Sequence, residues 1–184
     1  MLGKQLSMCS VQGLKLPQKE RTEYMRIGLR DICRYDHKKY MQLAIEEAII
    51  AGERGDKPIG AVLVHNHKII GKMSNTWNTK NSKVHHAENH LVMENANYLR
   101  KHGPECIIYT TLEPCVMCLG TIVMADIRNI VFGFEDKYMM TKNFIDSNAW
   151  LRDRVFNYLG GVKREECRDL IVRYGDERDK QILL

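Results

Sequence analysis

The chain has 184 residues, 44% of them hydrophobic and 28% charged, with a formal net charge of +5. That suffices for one domain with a sizeable core and matches the ordinary composition of a soluble globular protein. No apolar run is long enough to span a bilayer, no signal peptide is legible, and the mild positive charge permits a polyanionic partner without requiring one.

Residues 1–17 lack periodicity and end in Leu16-Pro17, so they read as a loosely docked arm. From Lys19, the apolar residues Met25, Leu29, Ile32 and Cys33 recur at helical spacing. We take residues 1–35 as an N-terminal extension and 36–184 as the domain proper. Asp36 is a good N-cap for a helix through Gly52, with Met41, Ile45 and Ile49 on its apolar face. Residues 61–64 and 68–71 read as a hairpin around His65-Asn66-His67, its two histidines in a solvated turn. A polar loop over 74–84 leads into a helix over 87–101, which Gly103-Pro104 ends. Residues 105–110 form an apolar strand. A helix follows from Pro114 to about 125, then a strand over 127–134. A last strand is expected over 153–161 and a closing helix over 164–174. Strands alternating with helices predict a sheet covered on both faces.

Two short motifs carry the chemistry: His86-Ala87-Glu88 and Pro114-Cys115-Val116-Met117-Cys118. Zinc takes Cys sulfur and His nitrogen in a tetrahedral shell, and a catalytic site keeps one position for water. His86, Cys115 and Cys118 supply three ligands and leave one position open. Pro114 is a typical first-turn helix residue, so the two cysteines lie one turn apart on one helix. The ligands sit at the positive ends of two helices, where thiolate is favoured over thiol. A bound metal lowers the pKa of its water to about 7. Glu88 is placed to move that water's proton to a ring nitrogen and then to a departing amine.

A closed structural site made by His86 and His90 with the two cysteines is the competing reading, and it leaves Glu88 without a reason. Trp77 suits either base stacking or an interface. Met117, Met124, Met139 and Met140 read as packing residues, and Cys106 and Cys167 as core positions. The cysteines outside the motif are expected as thiols in a reducing, cytoplasmic setting.

His-x-Glu followed by Pro-Cys-x-x-Cys is the signature of the zinc deaminases. Together with Pro58-Ile59-Gly60-Ala61-Val62-Leu63-Val64, Asn75, Thr111-Leu112-Glu113 and Val131-Phe132-Gly133, it closely resembles the bacterial tRNA adenosine deaminases of the cytidine deaminase-like superfamily. The match runs from about residue 35 to about 170. It implies a three-layer α/β/α sandwich around a central mixed sheet of about five strands. It also implies a Zn2+ cofactor, a homodimer with the pocket near the interface, and hydrolytic deamination of a nucleobase. Glu88 is then the catalytic residue, and Asn75 and the backbone at Ala87 contact substrate. The substrate is a tRNA anticodon loop, or, as in related enzymes with this signature, a free base or nucleoside. A non-catalytic zinc-binding partner subunit is the non-enzyme alternative. The bacterial tRNA enzymes end in a strongly basic helix. Here Arg173, Arg178 and Lys180 alternate with Asp176, Glu177 and Asp179.

Overall fold

The structure is a computed structural model that describes residues 31–183. Asp36 starts the first described helix, α1 (His37–Glu53), by accepting the Lys39 N–H on its carboxylate. Met41, Ala44, Ala48 and Ala51 are fully buried along it. These mostly small residues let α1 lie close on the sheet. The approach is tightest where β1 (Gly60–His65) begins. A Cβ on Gly60 would sit 2.2 Å from the Ala44 carbonyl oxygen.

β1 and β2 (Lys68–Ser74) form the expected hairpin. Its turn residues Asn66 and His67 have φ of 48° and 62°, the left-handed pair that matches the twist of a two-residue hairpin. The chain continues through α2 (Ala87–Glu94), α3 (Ala96–His102), β3 (Cys106–Leu112) and α4 (Val116–Met124). It then forms β4 (Asn129–Phe134), α5 (Thr141–Ser147), α6 (Ala149–Arg154), β5 (Asn157–Leu159) and α7 (Arg164–Tyr174). The strand order is β2-β1-β3-β4-β5. β1 is antiparallel to both neighbours, while β3, β4 and β5 run parallel.

Alternation along the strands divides the apolar residues between two cores. Val62, Val64, Ile107, Tyr109 and Val131 pack with Met41, Cys167 and Ile171 of α1 and α7. Ala61, Leu63, Ile108, Ile130 and Phe132 pack with Leu91, Leu99, Leu119 and Ile122 of α2, α3 and α4. The result is the three-layer α/β/α sandwich around a five-stranded mixed sheet. Cys106 and Cys167 are core residues, as expected. No helix among the described residues is long and apolar enough to cross a membrane.

Several local expectations fail for identifiable reasons. The helix over 87–101 is two helices, broken at Asn95, whose side-chain amide donates to the Leu91 carbonyl oxygen at 2.8 Å. The long last strand shrinks to three residues because Asn148 caps α6 through the Leu151 N–H. Pro114 precedes the Cys115 cap instead of entering the helix. Met124, Met139 and Met140 are exposed, not packed inside. His65 is no solvated turn residue: it is 6% exposed and bonds Tyr98 and Glu105. His67 stacks on Tyr35. The arm over 1–17 and most of the helix expected from residue 19 lie outside the described residues. Ile32 packs into the α1 core.

Candidate metal centre and active site

The two motif helices bring the ligands together by their first residues. His86 is the N-cap residue of α2 and Cys115 that of α4, both with extended backbone. Neither side chain caps its own helix; each turns to the other instead. His86 Nδ1 lies 3.7 Å from Cys115 Sγ and 3.3 Å from Cys118 Sγ. One donor atom from each residue falls within 4.8 Å of the others. A tetrahedral zinc with ordinary Zn–N and Zn–S bonds sets such N···S separations at about 3.6 Å. The donor set and its spacing therefore fit zinc. His90 does not join: its ring packs edge-on against His85, with centroids 4.3 Å apart. The closed two-His, two-Cys arrangement is not formed.

The electrostatics favour a cation here. The hydrogen bond from Cys118, aided by His86, pulls the Cys115 thiol down to about 4. Cys118, bonded to that sulfur and buried, is held far above the usual thiol range. The neighbouring sulfur and His86 thus favour the thiolate form of Cys115. Burial depresses His86, but contact with Cys115 and the charge of Glu88 outweigh it and raise the imidazole.

Glu88 lies one residue into α2 and is 3% exposed. Thr110 on β3 donates its hydroxyl to Glu88 Oε1 at 3.2 Å, and Cys118 Sγ donates to Oε2 at 3.6 Å. Burial raises its carboxyl above the usual range. A carboxyl that holds a proton readily, pinned beside the ligand sulfur, is suited to relay one.

Asn75 is fully buried. Its Oδ1 accepts the Trp77 N–H at 2.9 Å, whereas its Nδ2 has no partner among the described residues. The acceptor half serves a local turn and the donor half is left for something else. Ala87 opens α2 and is fully buried. Neither Asn75 nor Ala87 is among the residues that line the cavity over the cluster.

That cavity measures about 280 Å³, and His86, Glu88 and Cys115 line it. Trp77 and Tyr138 line it too, as do Arg178 and Ile182 near the chain's end. The Trp77 ring lies 5.4 Å from the His86 ring, beside the cluster. Glu113 is buried and organises the rim segment: it accepts the Asp136 and Lys142 N–H groups and the Tyr158 hydroxyl. Sequence reasoning missed Lys57, Tyr158 and the C-terminal turn (Asp179–Leu183). They lie far from both motifs along the chain and carry no motif of their own.

Three comparisons agree with this geometry. The MafB19-like deaminase family matches residues 35–165. The tRNA-specific adenosine deaminase of Bacillus subtilis (strain 168) is 35% identical over 148 residues, covering 77% of this chain and 90% of that protein. The cytosine deaminase of Candida albicans is 30% identical over 146 residues, covering 78% of this chain and 92% of that protein. The solved guanine deaminase of Bacillus subtilis superposes with a TM-score of 0.52 at 30% identity, covering 61% of this chain and 73% of that one. With the His86, Cys115 and Cys118 cluster, the buried glutamate and the mixed sheet all in place, this chain belongs to the MafB19-like deaminase family.

Proposed function

We propose that the protein is a zinc-dependent hydrolytic deaminase that acts on a nucleobase ring presented as a free base or nucleoside. The observation that carries the reaction is the juxtaposition of Glu88 with the His86, Cys115 and Cys118 cluster. Zinc held by those three side chains would supply a Lewis acid that makes water nucleophilic near neutral pH. Glu88 takes a proton from the attacking water as its oxygen bonds to the amine-bearing carbon, and delivers that proton to the adjacent ring nitrogen. The same carboxyl then moves the remaining hydroxyl proton to the amine, the C–N bond breaks, ammonia leaves and the oxygen stays as the carbonyl. Thr110 holds the carboxylate through this exchange. The unpartnered Asn75 amide supports a role in donating to the substrate, and Trp77 supports a stacking wall.

The cavity supports the small-substrate reading. The chain's own C-terminal turn contributes to its lining, and an ion pair joins Lys57 to Asp179. Basic and acidic residues alternate there, unlike a groove built to follow phosphates. A second reading, adenosine in a tRNA anticodon loop, is favoured by the 35% identity to the tRNA-specific adenosine deaminase.

Ammonia release separates the two. Cytosine, guanine, adenine, their nucleosides and an anticodon stem-loop are offered at two salt concentrations. Rapid turnover of a base or nucleoside with little salt dependence is expected. Turnover confined to the stem-loop and falling steeply with salt would move the assignment to tRNA. Release from none of them, with zinc bound, would favour the non-catalytic partner subunit.

Assembly and location belong to the same proposal. Met93 and Met124, at the ends of the adjacent helices α2 and α4, are 69% and 73% exposed. They support a homodimer through this side. The thiols of Cys106 and Cys167 are unpaired, which supports a reducing, cytoplasmic setting.

A further inference from the structure

We infer that the chain carries a second divalent-cation site, formed by His65, His102 and Glu105 at the end of the sheet remote from the deaminase centre. His65 closes β1 and pairs with Cys106 at the start of β3. Thr110, which holds Glu88, lies four residues further along β3, about 13 Å away at the strand rise. His102 ends α3, and Glu105 lies in the short turn that follows (Gly103–Glu105).

The three side chains converge on one point. His65 Nε2 is 2.9 Å from Glu105 Oε2, and His102 Nδ1 is 4.0 Å from the same oxygen. The two imidazole centroids are 4.9 Å apart. One donor from each residue lies within 4.8 Å of the other two. Ligands on a tetrahedral zinc with ordinary Zn–N and Zn–O bonds sit about 3.4 Å from one another, between the two carboxylate distances seen here. Glu105 and His102 are 55% and 39% exposed on their side chains, so both adjust by rotation alone.

His65 is the fixed member. It is 6% exposed, and Tyr98 Oη lies 2.6 Å from its Nδ1. Tyr98 sits one helical turn before His102 on α3, and their rings are 4.7 Å apart. The hydroxyl can donate to Nδ1 or accept from it. When it donates, Nε2 carries the proton and pairs with Glu105. When it accepts, the Nε2 lone pair faces the carboxylate oxygen, an arrangement that a cation between them stabilises. The tyrosine thus plays the orienting part that metal-bound histidines require. Two nitrogens and one carboxylate, with no sulfur, suit a borderline ion such as zinc, nickel or copper(II) and not magnesium or calcium. A water fills the remaining position from solvent.

The test uses the full chain and metal alone. Equilibrated with buffered zinc in excess, the protein is expected to retain two equivalents by elemental analysis. His102→Ala and Glu105→Gln, both at exposed positions, are each expected to retain one equivalent with unchanged deaminase turnover. Cobalt separates the sites: the first equivalent brings a thiolate charge-transfer absorption in the near ultraviolet, and the second adds visible d–d bands without more of it. One equivalent in the unaltered chain overturns the inference, leaving the cluster an ion pair only. A second equivalent that survives both substitutions overturns it equally, because the metal then sits elsewhere.

Discussion

At the scale of single residues, the proposed chemistry rests on Glu88, a buried carboxyl held above its usual range. Glu88→Gln keeps the size and the Thr110 contact but removes the acid–base function. The expected outcome is full zinc content with turnover lower by at least 10²-fold, the range that a positioned proton-transfer group contributes. Elemental analysis and ammonia release on one sample check both halves. Activity within a few fold of the parent would refute the role of Glu88. His86, Glu88, Cys115 and Cys118 were legible in the sequence because short motifs at helix starts fix local geometry directly. His65 was not legible, since a histidine beside a turn looks the same whether its ring enters the core or solvent. Only the distant Tyr98 and Glu105 decide that.

At the scale of elements, the loop that carries Asn75 and Trp77 depends on one buried carboxylate that no motif marks. Asp56 Oδ1 accepts the Asn78 and Thr79 N–H groups, and Oδ2 accepts from the Thr79 hydroxyl and Arg54 Nε. Arg54 in turn donates to the Asn75 carbonyl oxygen at 2.5 Å. Burial alone would raise Asp56, yet hydrogen bonds from Thr79, Arg54 and Asn78 overcome it and hold the carboxyl below its ordinary 3.8. A depressed native value stabilises the fold above the unfolded one and loses that contribution as pH falls through the depressed value. Asp56→Asn is therefore expected to cost about 2 kcal/mol at pH 7, the scale of hydrogen bonds to a charged group. The gap between parent and variant should narrow below about pH 4. Urea melts across that range check the sign, and a constant gap would show that the charge is irrelevant. The variant should also raise KM through the loosened Asn75 loop.

The sheet sets a second constraint at this scale. The close approach of α1 to β1 leaves no room for a side chain at position 60. Gly60→Ala is expected to destabilise by about 3 kcal/mol. The denaturant midpoint should fall with an unchanged m value. Element types were mostly legible because α1 keeps an apolar face and the central strands β1, β3 and β4 are buried along their whole length. The short strand β5 and the Asn95 break were not, because side-chain caps at Asn148 and Asn95 override local alternation.

At the scale of the whole molecule, the small-substrate proposal rests on the C-terminal turn, whose residues line the cavity beside the cluster. Asp176 caps the C-terminal turn by accepting the Arg178 and Asp179 N–H groups at 2.8 Å each. Asp179 then pairs with Lys57, whose ammonium also lies 5.1 Å from the centroid of the Trp77 ring. One lysine thus links the C-terminal turn to Trp77. Both side chains of the pair are less than one-fifth exposed. Discounted for the solvent that still reaches it, the pair contributes on the order of 1 kcal/mol, about five-fold in an equilibrium constant. Asp179→Ala is expected to raise KM for a free base or nucleoside by that factor and to leave kcat nearly unchanged, because Asp179 does not touch Glu88 or the ligands. High salt should leave the parent's KM nearly unchanged, since a pair this buried is little screened. Removing residues 176–184 should go further, weakening the small substrate while letting an anticodon stem-loop approach the cavity floor. A truncated chain whose base and stem-loop kinetics match those of the parent would mean that the turn covers nothing the substrate needs. The breadth of the pocket would then be a property of Trp77 and Tyr138 alone.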